Sequence, residues 1–251
     1  MEAYSSFAEV YDMFMDNVPY EEWSVYMHEI LKEYGIEDGL VLDLGCGTGK
    51  MTRLLRDQGY DMIGIDLSEE MLGIARDQDA EGILYLQQDM REFELYGTVR
   101  AVISACDCMN YILEEEELLE VFQLVNNYLD PGGIFLFDMN TRYKYEEVIA
   151  DQTICEHREN ASFVWDNIFD EDTGINEYGL TLFIEHPEDK GLFYRFQEYH
   201  YQKAYDIDTI VDLLGQAGME VLAVYGEGTF ADPEEDCERV YFLARESGKS
   251  K

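Results

Sequence analysis

The sequence has few basic residues, with 17 lysines and arginines against 55 aspartates and glutamates and a formal net charge of −38. Nucleic-acid binding requires Lys and Arg to neutralise phosphates, and anionic membrane surfaces attract the same residues. The composition therefore predicts that neither a nucleic acid nor a membrane is a partner. A charge of this size indicates colloidal solubility and says little about the fold.

Other scarce features exclude further classes of protein. No apolar run approaches the roughly 20 residues of a membrane-spanning helix. The first four residues lack the basic and apolar segments of a secretory signal. The five cysteines are odd in number and have no disulfide-framework spacing, which indicates reduced thiols in a cytoplasmic protein. Cys106 and Cys108 are separated by a single residue, unlike zinc-ligand pairs, so no metal site is predicted.

The chain nevertheless has enough apolar material for a full core. Its 251 residues are 47% hydrophobic and 14% aromatic, which is typical of a globular protein. This length predicts one large domain, or one domain with an insertion, present as a monomer or homodimer.

Apolar periodicity predicts alternating strands and helices after a helical N-terminal segment, residues 1–36. The predicted strands are 40–44, 61–66, 82–87, 100–106 and 134–138, with helices near 48–58, 68–78 and 114–128. A helix at 207–217 and strands at 219–226 and 238–245 follow later; the last two strands are joined only by a loop and should pair antiparallel. The pattern predicts an α/β fold, a Rossmann-like doubly wound sheet of seven strands, mostly parallel with the last strand antiparallel.

A different periodicity interrupts this fold at residues 142–203. Hydrophobic and polar residues alternate there with period two, and Thr173-Gly174 and Asp189-Lys190-Gly191 are turn signals. We expect a small inserted antiparallel sheet of three strands. Residues 1–141 and 204–251 then form the main domain, with 1–36 as a helical cap. The insertion leaves from the end of strand 134–138, where open parallel sheets bind ligands, so we expect it to be a lid over the pocket.

A glycine-rich turn follows the first predicted strand and is the strongest local signal in the chain. Gly45, Gly47 and Gly49 alternate with small residues, and such a turn lets backbone N–H groups approach a nucleotide-like ligand. Asp43 precedes the first glycine by two residues, and Asp66 ends the next predicted strand. A carboxylate in the position of Asp66 can accept both hydroxyl protons of a ribose.

Two cofactors fit a turn of this kind. A dinucleotide site requires Gly-x-Gly-x-x-Gly, but Lys50 stands in place of the third glycine, and Asp43 would direct negative charge towards a diphosphate. S-adenosylmethionine has no phosphate and carries a sulfonium and an ammonium group, which suit a nearby carboxylate. The residues favour S-adenosylmethionine, with a nicotinamide-dependent oxidoreductase as the alternative.

The chain closely resembles the class I S-adenosylmethionine-dependent methyltransferases. The resemblance is carried in order by Val41–Gly49, Ile63–Ser68, Gln88–Met90, Ile103–Asn110 and Pro131–Gly133. It implies that Asp43 and the glycines surround the methionine part, Asp66 binds the ribose and Asp89 the adenine. The full set of implied cofactor contacts is Asp43, Gly45, Cys46, Gly47, Asp66, Leu67, Met71, Asp89, Met90 and Ala105. Residues 4–12 and 199–205 also resemble a bacterial small-molecule subgroup with an inserted lid sheet.

Methyl transfer from a sulfonium requires mainly alignment of the acceptor and exclusion of water, with a general base only when the acceptor carries a proton. The candidate catalytic residues are His200, Tyr11, Tyr4 and Asp107. Residues 107–110 depart from the Asn-Pro-Pro-aromatic signature of enzymes that methylate nucleobase amino groups, which again favours a small-molecule substrate. A non-catalytic cofactor-binding protein whose inserted sheet binds a protein partner is the second alternative.

Overall fold

Two β-sheets organise the molecule in this computed structural model, which describes residues 7–79 and 82–249. The strands of the described residues are β1 (Gly39–Leu44), β2 (Tyr60–Asp66), β3 (Leu84–Gln87), β4 (Val99–Ser104), β5 (Leu129–Asn140), β6 (Thr153–His157), β7 (Ala161–Asp170), β8 (Ile175–Glu185), β9 (Phe193–Lys203), β10 (Met219–Gly226) and β11 (Arg239–Glu246).

Helices cover the larger sheet and connect its strands. They are α1 (Ala8–Phe14), α2 (Tyr20–Glu33), α3 (Lys50–Asp57), α4 (Glu69–Gln78), α5 (Glu115–Tyr128) and α6 (Ile207–Gln216), with a 3₁₀ turn at Cys108–Tyr111 and a π-helical turn at Lys144–Ile149. In the described part of the chain, none of them combines the length and the apolar character that crossing a membrane requires.

The larger sheet has seven strands in the order β10-β11-β5-β4-β1-β2-β3. Strand β11 runs antiparallel to both of its neighbours, and the pairs from β5 to β3 are parallel. Val41, Leu42 and Leu44 of β1 are fully buried because helices cover both faces of a parallel sheet. The predicted α/β fold class, with its antiparallel last strand, is confirmed.

Strand β5 begins five residues earlier than the predicted start at Ile134. Pro131-Gly132-Gly133 does not end the preceding helix but lies within the strand, where the register against β4 shifts between Val99 and Ala101. Gly132 has a φ of +76° there, a conformation that glycine adopts without strain. The breaker residues therefore form an irregularity inside a strand.

The inserted antiparallel sheet is confirmed, with strand order β6-β7-β8-β9, but the prediction of three strands is wrong. The missed strand, β6, pairs only with β7, and Thr153, Cys155 and His157 are exposed along it. An edge strand with no fully buried residue lacks the alternation of apolar and polar residues by which strands are predicted from sequence.

The described residues of the N-terminal segment form two helices with different partners, and their role as a helical cap stays a prediction. Val10 and Phe14 of α1 pack against the inserted sheet, in a cluster with Phe163, Leu180 and Leu182. Helix α2 packs on the seven-stranded sheet instead. Helix α1 and the insertion therefore share one apolar cluster, and the division of the chain into a main domain and a lid stays a prediction.

Candidate functional site

The glycine turn joins β1 to α3 and requires glycine at each of its three positions. Gly45, Gly47 and Gly49 have φ values of +84°, +54° and +72°. A Cβ atom on Gly45 would lie 2.7 Å from Sγ of Cys108, so close approach adds to the backbone requirement. The N–H groups of Gly45 and Cys46 both donate to the carbonyl of Ile65, at 2.8 and 2.9 Å, which fixes the turn to β2.

Asp66 holds the next part of the same turn. Its Oδ2 accepts from the N–H of Gly47 at 2.8 Å, and its Oδ1 accepts from the N–H of Ser68 at 2.9 Å. Ser68 caps α4 by accepting from the N–H of Met71. Burial raises the pKa of the Asp66 carboxyl, and the N–H groups of Ser68, Gly47 and Leu67 oppose that shift. Asp66 therefore fixes the turn and also presents a carboxylate to the space above it.

That space is a cavity of about 390 Å³ at the carboxyl ends of the parallel strands. Open α/β sheets bind ligands at this edge. Nine of the ten predicted cofactor residues line it: Gly45, Cys46, Gly47, Asp66, Leu67, Met71, Asp89, Met90 and Ala105. The structure thus brings these positions together around one cavity, and their individual contacts with a cofactor stay predictions.

Asp43, the tenth residue, is not among those described as lining the cavity. Only 1% of it is exposed, and its Oδ2 accepts from Oγ1 of Thr52 at 2.6 Å. Burial raises the pKa of the Asp43 carboxyl to about 7; the hydrogen bond from Thr52 opposes the shift, and the charge of Asp66 adds to it. A buried carboxylate with this environment favours a cation nearby.

Asp89 lines the cavity, and its carboxylate is hydrogen-bonded to Arg91. Arg91 donates to it from Nε and Nη2, and Nη1 of Arg91 donates to Glu117 at 3.1 Å. The hydrogen bond from Arg91 lowers the pKa of Asp89, against a smaller effect of burial. Arg91 also lines the cavity and was missed from the sequence, because nothing in its local pattern reveals the partner on α5.

Lys50 is a second residue that the sequence analysis did not assign to the site. It begins α3 directly after the glycine turn and lines the cavity, with Nζ 4.6 Å from the centre of the Tyr20 ring. Lys50 forms no ion pair with the described residues. Its position beside the turn was the available signal, and a cation there can meet an anionic group of a ligand.

Three cysteines also line the cavity: Cys46, Cys106 and Cys108. Burial raises the pKa of all three thiols, that of Cys106 to about 11. Nucleophilic attack requires a thiolate. These protonated thiols therefore do not favour a covalent enzyme intermediate.

Among the candidate catalytic residues, Tyr11 lines the cavity, with its hydroxyl 3.4 Å from that of Tyr20. Burial raises the pKa of both hydroxyls, so both stay protonated at neutral pH. Tyr4 lies outside the described residues, and its role stays a prediction.

Asp107 follows β4 in a left-handed conformation, with a φ of +52°, and is not among the residues described as lining the cavity. Its Oδ1 accepts from Arg239 of β11 at 2.8 Å, and its Oδ2 accepts from Gln202 of β9 at 2.6 Å. Burial alone would raise the pKa of Asp107, but Arg239, Lys144 and Gln202 hold it below its ordinary value. Both oxygens thus bind neighbouring strands, and a catalytic role for Asp107 stays a prediction.

His200 is 2% exposed and lies behind the cavity wall, not on it. Its Nδ1 is 3.2 Å from the hydroxyl of Tyr111, which does line the cavity, and its Nε2 is 3.4 Å from Oε2 of Glu198. The ring of Tyr178 stacks on the imidazole, with centroids 4.8 Å apart. Sequence reasoning missed Tyr111 and Glu198, although polar residues at alternate positions of β9 were a signal.

Comparisons with known proteins agree with this geometry. Residues 41–133 match the family model described as "Methyltransferase domain". The protein named "Putative methyltransferase YqeM" of Bacillus subtilis (strain 168) is 34% identical over 247 residues, which cover 97% of each chain. The dTDP-3-amino-3,4,6-trideoxy-alpha-D-glucopyranose N,N-dimethyltransferase of Streptomyces venezuelae is 30% identical over 146 residues, 57% of this chain and 60% of that one.

The fold also matches a solved structure over nearly its whole length. The crystal structure of a S-adenosylmethionine-dependent methyltransferase from Clostridium acetobutylicum ATCC 824 aligns with a TM-score of 0.86 and 26% identity, covering 98% of this chain and 100% of that one. The similarity to the Bacillus and Clostridium proteins over nearly the whole chain, together with the matching family model, leads to one assignment. The chain belongs to the class I S-adenosylmethionine-dependent methyltransferase family.

Proposed function

We propose that this chain is an enzyme that transfers the methyl group of S-adenosylmethionine, the donor of its family, to a small-molecule acceptor. The observation that carries the proposal is the cavity at the ends of β1, β2 and β4, lined by the glycine turn and by Asp66. A donor with a sulfonium and no phosphate suits a cavity with carboxylates on its wall and beneath it better than a dinucleotide does. The amino-sugar N,N-dimethyltransferase among the relatives supports a small acceptor.

The geometry of the lining residues supports the proposed cofactor roles. A carboxylate has about four lone-pair sites, so Asp66 can accept from ribose hydroxyls besides the N–H groups of Gly47 and Ser68. Leu67 and Met71 supply apolar surface beside it for the adenosine. Gly45 and Gly47 let the backbone approach the methionine part without side chains between them. Asp89, held by Arg91, would receive the adenine amino group.

Methyl transfer is an in-line displacement, so the protein must align the two reactants and keep water out. Tyr11, Tyr20 and Tyr111 form an aromatic part of the cavity wall, contributed by α1, α2 and the 3₁₀ turn. These elements are the natural contacts for an acceptor, because the glycine turn and β2 provide the cofactor contacts. We further propose a cytoplasmic location, in keeping with five free cysteines.

Thermal denaturation with and without ligands tests the cofactor. S-adenosylmethionine and its demethylated product should both raise the melting temperature, and at 100 times the dissociation constant a ligand stabilises by about 2.7 kcal/mol. NAD should give no shift. Stabilisation by NAD alone would instead support the nicotinamide oxidoreductase.

Incubation of the protein with labelled donor and a cell extract tests the reaction. Mass spectrometry should detect a labelled product of low molecular mass. Donor binding without a product in any extract would support the non-catalytic alternative, in which the inserted sheet binds a protein partner.

A further inference from the structure

Strand β9 carries three buried polar side chains on its inner face. Glu198, His200 and Gln202 alternate along the strand and are 1%, 2% and 3% exposed. Buried polar groups destabilise a protein unless they are hydrogen-bonded, so three of them on one buried face indicate a structural or functional role. Glu198 accepts from the N–H of Phe7 at 3.0 Å, and Gln202 donates to Asp107. Both therefore fasten the insertion to the main fold.

His200, between them, connects the interior of the protein to the cavity. Tyr111 lines the cavity, and its hydroxyl lies 3.2 Å from Nδ1 of His200, while Nε2 of His200 lies 3.4 Å from the carboxylate of Glu198. A carboxylate accepts hydrogen bonds only, so the proton of the neutral imidazole belongs on Nε2. Nδ1 is then free of a proton and accepts from the hydroxyl of Tyr111.

A stacking contact on its ring face also holds His200 in this orientation, besides the contacts of its two nitrogens. Tyr178 of β8 stacks on it with an interplanar angle of 8°, and the hydroxyl of Tyr178 also hydrogen-bonds that of Tyr111. Within the part of the chain that the structure describes, the titratable groups that face His200 include Tyr111 from the 3₁₀ turn, Tyr178 from β8 and Glu198 from its own strand. A nucleophile's proton can leave the cavity through Tyr111 and reach an imidazole whose charge a carboxylate stabilises.

We propose that the acceptor is an amine and that Tyr111 removes its proton and relays it to His200. In this proposal, which rests on the proposed methyltransferase function, Tyr111 is a catalytic residue because it touches the substrate. His200 and Glu198 act through Tyr111 and are positioning residues.

The transfer balances in atoms and charge. The nitrogen lone pair of the acceptor forms a bond to the donor methyl carbon, and the carbon–sulfur bond breaks with its electron pair going to sulfur, which becomes a neutral thioether. Before this attack, the ammonium form of the acceptor gives one proton to the oxygen of Tyr111, while the hydroxyl proton of Tyr111 goes to Nδ1 of His200, and this frees the nitrogen lone pair. The product is an imidazolium beside the carboxylate of Glu198.

The amine follows from matching the relay to the nucleophile. Carboxylate acceptors are already deprotonated at neutral pH and need no relay, and alcohols hold their proton far more strongly than an imidazolium does. An imidazole titrates at about 6.5 and an α-amine at about 7.7–8.0, close enough for efficient proton transfer between them. A thiol titrates at about 8.5, and the labelling experiment below separates it from an amine.

The acceptor atom can be identified by isotope labelling. The probe is donor carrying carbon-13 in its methyl group, incubated with the wild-type protein and a small-molecule extract of cells grown on nitrogen-15. We expect a product whose carbon-13 signal is split by directly bonded nitrogen-15. An unsplit methyl signal would overturn the amine, while leaving the methyltransferase function intact. The absence of any transferred label would contradict the proposed function itself.

Variants of the relay test its role with the same extract. At about neutral pH, Tyr111→Phe should lower turnover by about 100-fold or more, the usual contribution of a general base. Its affinity for S-adenosylmethionine should stay within about twofold, because the hydroxyl lies outside the proposed cofactor contacts. Raising the pH through the titration of the acceptor amine should restore the rate, since the amine then arrives without its proton. Glu198→Gln should show the same recovery with a smaller loss.

The control is Tyr201→Phe, the same change on the opposite face of β9, where the side chain is 42% exposed. It should leave turnover unchanged at every pH. Melting temperature and calorimetry with S-adenosylmethionine identify variants that are folded. A constant ratio between Tyr111→Phe and wild type across pH would overturn the relay, because a purely structural role does not depend on the protonation of the acceptor.

Discussion

Asp43 combines deep burial with a titration close to neutrality. Its pKa is raised from 3.8 to about 7, so the folded chain holds this proton more tightly than the unfolded chain does. The stabilisation is full at pH values below the unfolded pKa and is lost as the pH rises through the folded value. Between these values the unfolded carboxyl is ionised while the folded one keeps its proton, and above about pH 7 the folded state holds a buried charge with Thr52 as its hydrogen-bond partner.

Asp43→Asn should therefore stabilise the ligand-free protein at about pH 8 by about 1–3 kcal/mol, because the amide is neutral and still accepts from Thr52. The gain should vanish at about pH 4, where Asp43 is protonated. Affinity for the cationic donor should fall. Chemical denaturation at the two pH values and calorimetry provide the measurements, with Asp61→Asn, exposed on β2, as the control. Equal stability of wild type and variant at both pH values would contradict the raised pKa.

A substitution at Lys50 tests how the cavity binds the carboxylate of the donor. Its ammonium group lines the cavity beside the glycine turn, where it can pair with the carboxylate of the donor's methionine part. Lys50→Met should weaken the affinity for S-adenosylmethionine by about tenfold, equivalent to about 1.4 kcal/mol. Methylthioadenosine lacks that carboxylate, and its affinity should not change. Calorimetry with the two ligands separates the effects, and Lys50→Arg should retain most of the affinity. A loss of the same size for both ligands would indicate that Lys50 acts through the fold.

Some site residues could be predicted from the sequence and others could not. The glycine turn and Asp66 could be predicted from local sequence. Left-handed backbone conformations favour glycine, and Asp66 directly ends an apolar strand. Tyr111 could not, because its partner His200 is 89 positions away and meets it only through the packing of the insertion. Asp107 was named from its place after a strand, but the arginine that pairs with it lies 132 positions later.

Helix α1 is the element on which the insertion and the cofactor cavity both depend. Phe14 packs edge-on against Phe163 of β7, with ring centroids 4.8 Å apart, and is 4% exposed. On the other face of the same short helix, Asp12 accepts from Oγ1 of Thr48 in the glycine turn at 2.7 Å. Seven residues cannot form a stable helix without such contacts.

Phe14→Ala should detach α1 and lower stability by about 3 kcal/mol or more, the lower end for a buried Phe. Hydrogen exchange should become faster at residues 8–14 and 161–184 but not in the seven-stranded sheet. Donor affinity should fall, because Asp12 then no longer accepts from Thr48 in the glycine turn. Glu9→Ala, an exposed change on the same helix, is the control. Unchanged protection of residues 161–184 in the Phe14 variant would refute a shared cluster.

Elements with strong periodicity could be predicted, and those with mixed environments could not. Helix α5 buries Leu118, Phe122 and Val125 on one face, as its spacing indicates. The different partners of α1 and α2 could not be predicted, because both helices bury an apolar face and only the packing decides which sheet each one meets. Strand β6 escaped it for the reason that makes edge strands weak signals: half of its backbone and most of its side chains face solvent.

The whole molecule is dominated by acidic self-repulsion. Even if each of the 17 bases paired with one acid, 38 acids would have no partner of opposite charge. Exposed ion pairs such as Arg76 with Glu69 contribute about 0–1 kcal/mol each, and salt weakens them. Salt also screens the repulsion between the excess acids. We expect this screening to stabilise the fold more than the weakening of the ion pairs destabilises it.

The melting temperature should therefore rise by several degrees, on the order of 5 °C, as sodium chloride increases from about 0.02 to about 0.5 M. Differential scanning calorimetry measures this directly. A neutral osmolyte at the same osmolality is the control for effects unrelated to charge. A melting temperature that falls with salt would mean that specific ion pairs outweigh the net repulsion.

The placement of β11 has a consequence for synthesis on the ribosome. This strand lies between β5 and β10, so β10 joins the sheet only through a strand made after it. Arg239, at the start of β11, also pairs with Asp107 and Asp138 at the edge of the site. A nascent chain that ends before residue 239 has an open edge on β5, and Asp107 and the buried Asp138 lack their arginine. Such intermediates are prone to aggregate, which makes the emergence of β11 the event that commits the chain to its native state.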